Sequence, residues 1–354
     1  MIRMLATGLA GVSVLLCGAA PAVAQAADSA AFIVRLGQDT TAVERYVRAG
    51  DRIDAISVTR TPRTTVRRLT LWLGQDGSVT RFATGGATGE MREQTVAGGA
   101  IPIVNGFYVP WELVLLRAVA SGQGAATISV AAGQAPMPIE MRRADAGSWR
   151  FSDQFGQAAS AEVDAMGRML RYAIDDGRIS AERVAWLDID AIATAFAARD
   201  EAGRPMGSLS PLDSVRASVG GARIVVEYSR PSLRGRSLDM LVPSGEVWRT
   251  GANNASTLET DRALSFSDVR LEPGTYSLFT RRDGREWTLI FNRQTGMSGL
   301  ARDPARDVGR VAMSSRVLDE PAETFTIIVE PTANGGILRL RWADVEASVP
   351  FRTN

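Results

Sequence analysis

The chain has 354 residues, 40 basic against 39 acidic side chains and a net charge of +1. So even a balance offers no overall field to hold a nucleic acid or an anionic membrane, and the length exceeds what one hydrophobic core ordinarily serves, which predicts two domains. Every basic residue is arginine: histidine and lysine are absent, and the single cysteine is Cys17.

Residues 1–26 read as a secretory signal peptide. Arg3 precedes an apolar stretch from Met4 to Ala20, which is followed by the small-residue patterns Ala22-Val23-Ala24 and Ala24-Gln25-Ala26. Gly8, Gly11 and Gly18 interrupt that stretch, which is too short to span a bilayer. The expected location is therefore the periplasm or the medium, with envelope association open and no membrane-spanning segment once the leader is removed. Lipid attachment at Cys17 is the lesser reading, because Leu16 stands where a lipoprotein signal wants a small residue.

Residues 27–203 form the first predicted domain, a mainly antiparallel β-sheet unit with one or two short helices. Leu69, Leu71 and Leu73 alternate with Arg68, Thr70 and Trp72, and Asp76-Gly77 then turns the chain into Val79–Phe82, a hairpin signature. Further strands are predicted at Trp149–Phe151 and at Met169–Ile174, the latter turning at Asp175-Asp176-Gly177 into Arg178-Ile179. Pro110 opens a helical stretch to Val119 that stops before Ser121-Gly122. Asp188 or Asp190 caps a second, with Ile192, Ala195, Phe196 and Arg199 at helical spacing and Gly203 as its stop.

Residues 204–210 are rich in turn formers and serve as the predicted linker. From 211 to 354 the strand pattern returns. Ile224, Val226 and Tyr228 share one face, Trp287, Leu289 and Phe291 another, and arginines alternate with large apolar side chains over Leu338–Trp342. Short strands with few helices predict an antiparallel β-sandwich.

Four stretches of this second domain carry a resemblance: Tyr228–Arg236, Gly245–Asn253, Pro273–Thr280 and Trp287–Asn292. In order and spacing they resemble the family called domain of unknown function 2911, found mainly in secreted bacterial proteins, over about residues 210–354. The resemblance implies a compact β domain without an established substrate or reaction. Gly296-Met297-Ser298-Gly299 departs from it, since members often carry a Trp-Gly pair there. At the level of pattern alone, the first domain is similar to half-barrel lipoprotein carriers.

The side-chain inventory excludes much chemistry. Ser-His-Asp, Cys-His and Ser-Lys arrangements cannot be assembled without histidine, lysine or a mature thiol, and zinc sites built on Cys or His and the P-loop fail likewise. No cofactor is expected. Calcium would need six to eight oxygens, and the acidic pairs Asp175-Asp176 and Asp188/Asp190 read as a turn and a helix cap. Paired carboxylates remain open to a carbohydrate hydrolase, with Glu227, Glu246, Glu259 and Asp261 near the resembling motifs. A carrier sheltering an apolar ligand in the first sheet is the other alternative. The leading expectation is a noncatalytic binding protein for a small polar or anionic ligand. Its candidate residues are Tyr228, Arg230, Arg234, Arg236, Trp248, Arg249, Thr250, Gly251 and Asn253, since guanidinium forks clamp carboxylates or phosphates and aromatic and amide groups orient them.

Overall fold

The computed structural model describes residues 29–132, 135–154, 156–174 and 178–353. The predicted leader with Cys17 and the Asp175–Gly177 turn lie outside them. The chain is mainly β, as its alternating apolar patterns predict, and builds two large sheets that share no strand.

The first sheet has thirteen strands: β1 (Ser29–Leu36), β2 (Asp39–Ala49), β3 (Arg52–Thr59), β4 (Thr65–Leu73), β5 (Val79–Gly86), β6 (Arg92–Thr95), β7 (Ile101–Pro102), β8 (Ala125–Ala131), β9 (Pro136–Asp145), β10 (Ser148–Ser152), β11 (Ala158–Val163), β12 (Met169–Ile174) and β13 (Ile179–Val184). Their order is β6-β5-β4-β3-β2-β1-β13-β12-β11-β10-β9-β8-β7. Only the β7–β8 pair is parallel among the described residues. β1 is the pivot, pairing β2 on one side and β13 on the other.

The sheet curls until β7 comes back beside β5, and its concave side is filled by a helix, α1 (Val109–Ala120), with Pro110 in its first turn as predicted. Trp111, Val114 and Leu115 of α1 pack with Phe32, Trp149, Phe151 and Tyr172 in one core. The carrier alternative calls for an unfilled apolar hollow; here α1 occupies the hollow. A second helix, α2 (Ile189–Glu201), lies on the convex face, where Ile189, Ile192 and Phe196 cover Val43, Val58 and Ile56. Asp188 caps it by accepting the Ala191 N–H at 3.0 Å. No helix of the described residues is long and apolar enough to cross a membrane.

The second sheet comprises β14 (Leu212–Val219), β15 (Ala222–Ser229), β16 (Val247–Trp248), β17 (Ser256–Thr260), β18 (Leu264–Phe266), β19 (Val269–Leu271), β20 (Gly274–Asp283), β21 (Glu286–Asn292), β22 (Asp307–Thr332) and β23 (Gly335–Thr353). One short helix, α3 (Leu238–Leu241), interrupts them. The order is β14-β15-β17-β20-β21-β22-β23-β18-β19, with β16 beside β20. Register shifts at Val317/Ala322 and Ala322/Thr326 break the ladder of the long β22–β23 hairpin. Such bulges bend a strand, and the far part of the hairpin folds over so that β22 also packs against β14. Two layers thereby close on one core, with Phe266, Phe291 and Phe351 at one place and Tyr228, Trp248, Phe325 and Trp342 at another.

The change from one sheet to the other falls between Glu201 and Leu212. That connection is held to the β3–β4 loop of the first sheet, where Gly207 donates to the Pro62 carbonyl at 2.9 Å and the Thr61 hydroxyl to the Gly207 carbonyl at 3.1 Å. The segments that build the two sheets also meet directly. The Gln38 N–H donates to the Arg234 carbonyl at 3.0 Å, and the Arg234 guanidinium reaches Asp39 at 2.5 Å.

Candidate functional site

The residues predicted to bind ligand separate into three groups. Tyr228 and Trp248 are core aromatics: Tyr228 meets Phe325 edge-on, and Trp248 stacks on Trp342 with ring centroids 5.4 Å apart. Arg230 donates to the Phe325 carbonyl at 3.3 Å and to Thr326 Oγ1 at 3.1 Å, and pairs with Asp213 at 3.1 Å. It ties β15 to the folded-over part of β22.

The second group is the loop Arg249–Asn253. Thr250 is fully buried and receives the Ser256 hydroxyl on its carbonyl. A Cβ on Gly251 would lie 2.8 Å from Ser256 Oγ and 3.0 Å from the Ser229 carbonyl, so the loop packs tightly against both here. Arg249 Nη1 donates to the Asn253 carbonyl at 2.9 Å, and the Asn253 amide reaches Ser229 Oγ at 3.4 Å. The divergent segment ending at Gly299 lies against this loop. The Gly299 N–H donates to the Asn253 carbonyl at 3.3 Å, and a Cβ on Gly299 would collide with the Arg249 stem.

The third group, Arg234 and Arg236, sits in the loop that follows β15. Arg234 and Gly235 both have positive φ, 52° and 77°. The loop is pinned by the Leu233 N–H to the Glu323 carbonyl at 2.9 Å and by the Arg234 N–H to the Glu323 carboxylate at 2.8 Å. Arg236 donates from Nε to the Leu233 carbonyl at 2.8 Å and from Nη2 to the Ser232 carbonyl at 2.7 Å. Among the described residues no carboxylate comes within ion-pair distance of it. Burial, reinforced by the like charges of Arg178 and Arg234, pushes its pKa down to about 10, so it stays cationic at neutral pH.

Arg236 also lines a pocket of about 510 Å³, together with Arg282, Arg285, Arg316, Asp239 and Asp344. Arg282 is spoken for: it pairs with Asp239 and donates to the Val242 carbonyl at 3.2 Å. Arg316 pairs with the buried Glu346 at 3.0 Å, which also receives Arg339 and Arg341. Burial works against a charge on Glu346, but the Arg316 hydrogen bond and the surrounding guanidiniums outweigh it and hold that carboxyl below its ordinary range. Arg285 is exposed, and its guanidinium has no partner among the described residues. Trp287 and Val317 supply apolar wall. The pocket thus offers two cations that no carboxylate of the described residues answers.

Both the pocket and the pinned loops fall within the part of the chain that the motifs single out. Residues 210–351 match the family described as protein of unknown function, DUF2911. No curated protein matches the chain. Within the DUF2911 segment, the carboxylates predicted for a hydrolase do not converge in a cleft. Glu227, Glu246, Glu259 and Asp261 are all exposed, and the last two pair with Arg223 at 3.2 and 3.9 Å. Among the described residues no cluster of three or more metal-ligating side chains forms.

Outside the DUF2911 segment, the first sheet and α1 hold a buried polar network that sequence reasoning missed. Glu44 on β2 is fully buried and accepts the Tyr108 and Val109 N–H groups at 2.5 and 3.1 Å, at the N-terminus of α1. Burial pushes its pKa up to about 8, against the lowering effect of those two bonds. Glu112, on the first turn of α1, accepts two contacts from Arg183 at 2.9 Å each and the Tyr46 hydroxyl. Burial raises its pKa too, and the Arg183 charge opposes that rise. The available signal was Glu112 inside an otherwise apolar helical run, and Glu44 on the inward face of an alternating strand.

Proposed function

We propose that this is an exported, noncatalytic binding protein whose DUF2911 segment captures a small anionic ligand. The observation that supports it best is Arg236, a buried guanidinium with no carboxylate partner among the described residues, beside Arg285 in the same pocket. An unpaired buried charge is costly, and a bound anion is the counter-charge that relieves it. Guanidinium donors favour carboxylate or phosphate, and the Trp287–Val317 wall accommodates the ligand's carbon skeleton. The leader-like residues 1–26 support export.

Calorimetric titration of the purified chain with phosphate, succinate, glutamate and glucuronate tests this reading. One or more should bind, and Arg285→Glu should weaken that binding about fivefold, as expected for ~1 kcal/mol from an exposed charge contact. Arg249→Ala, outside the pocket, should leave it unchanged. Failure of all four anions, or equal binding by Arg285→Glu, would refute the proposal. Export is checked by the N-terminus of the secreted form, expected at Gln25 or Ala27.

A further inference from the structure

The hollow of the first sheet is filled, yet beside α1 a pocket of about 310 Å³ remains open, away from the DUF2911 segment. Its wall is apolar: Ile53, Leu113 and Leu116, with Met166 at the rim and 62% exposed. Its polar floor is the Arg183–Glu112–Tyr46 network.

The bonding of that floor determines which charge it can receive. Both Glu112 oxygens are engaged, Oε1 by Tyr46 and Arg183 and Oε2 by Arg183, so the carboxylate has little left for a cation. Arg183 donates from Nε to the Met169 carbonyl at 3.0 Å and from Nη2 to Glu112. Its Nη1 has no acceptor among the described residues. Arg168, also lining the pocket, spends Nε and Nη2 on Asp164 at 2.7 Å and likewise keeps Nη1. Arg48 adds a third cation to the lining. Glu112 and Asp164 each answer one guanidinium, yet Arg183 and Arg168 both keep an Nη1 donor without an acceptor among the described residues, and a purely apolar occupant would strip water from those donors without replacing it.

We infer that this pocket is a second ligand site, for a small carboxylate on an apolar body. The carboxylate accepts from Arg183 Nη1 and Arg168 Nη1, and the hydrocarbon lies along Leu113, Leu116 and Met166. This is a site separate from the one proposed in the DUF2911 segment, with different chemistry: it demands the apolar body as well as the charge.

Calorimetry on the whole chain with octanoate, acetate, octylamine and octanol reads this directly. Octanoate should bind at one site, with acetate, octylamine and octanol each at least about tenfold weaker, since each lacks the tail or the charge. Met166→Glu, at the exposed rim, and Arg168→Glu, each checked for an unchanged circular dichroism spectrum, should each weaken octanoate at least about fivefold. Arg285→Glu, in the other pocket, should leave it unchanged. Octylamine or octanol binding as tightly as octanoate, unaltered binding by both rim variants, or loss of octanoate in Arg285→Glu would overturn the inference.

Discussion

Glu44→Gln removes a carboxyl whose proton burial retains at the start of α1. In the unfolded chain this group ionises near 4.5, and in the folded protein near 8. Between those values the folded state holds a proton that the unfolded state has released, so stability contributed by this group is complete below 4.5 and declines as pH rises towards 8. Each pH unit is worth about 1.36 kcal/mol, so the window from 4.5 to about 8 carries roughly 4 to 5 kcal/mol at most. Glutamine cannot ionise, so its protein lacks this decline. It does set an amide NH₂ against the Tyr108 or Val109 N–H, a fixed cost of about 1–3 kcal/mol. Glu112 titrates in both proteins and largely cancels in the difference. Urea unfolding followed by tryptophan fluorescence at pH 4, 5, 6, 7 and 8 should therefore show the wild type ahead at pH 4 and the variant ahead by pH 8. Parallel stability curves across the range would mean that Glu44 is already ionised in the folded protein at pH 5, and would refute the reasoning.

Two further outcomes follow from the same contacts. Arg183→Ala strands Glu112 in the core and should cost about 3–5 kcal/mol of unfolding free energy, whereas the double variant Arg183→Met with Glu112→Leu should cost less than the single one, because no unpaired charge remains; equal losses would contradict this. Gly37→Ala places a Cβ 2.2 Å from the Arg234 carbonyl at a residue with φ of 60°. It should break the Gln38–Arg234 bond between the segments of the two sheets and speed proteolysis within residues 203–211, and an unchanged cleavage rate would show that the seam does not depend on this approach.

The contrast between what was and was not legible follows the range of the interactions. The Asp76-Gly77 turn, the Pro110 start of α1 and the Asp188 cap of α2 are each written in a few adjacent residues and appear as expected. The binding cluster was legible only as an inventory. Its arginines lie close in sequence, but the loop after β15 sends Arg234 to Asp39 of the first sheet and Arg236 to the pocket, while the loop after β16 turns Arg249 back onto itself. Arg282, Arg285 and Arg316 were not singled out, because strand alternation makes an arginine beside an apolar residue look merely solvated. Glu44 and Arg183 were missed for a similar reason: both face inward from strands whose curvature around α1 is not a local property.

By itself the sequence determined the strand-rich character, the positions of α1 and α2, the chemistry that an inventory without histidine or lysine forbids, and the DUF2911 resemblance. Each depends on residue type, period or short spacing, which survive in one dimension. Tertiary structure alone decided that α1 fills the first sheet, that the bulged β22–β23 hairpin folds over the second, and that particular guanidiniums meet no carboxylate among the described residues. Those facts depend on burial and on partners distant in the chain, as with Asp39 and Arg234, 195 residues apart. A charge is satisfied or stranded only by what packs around it.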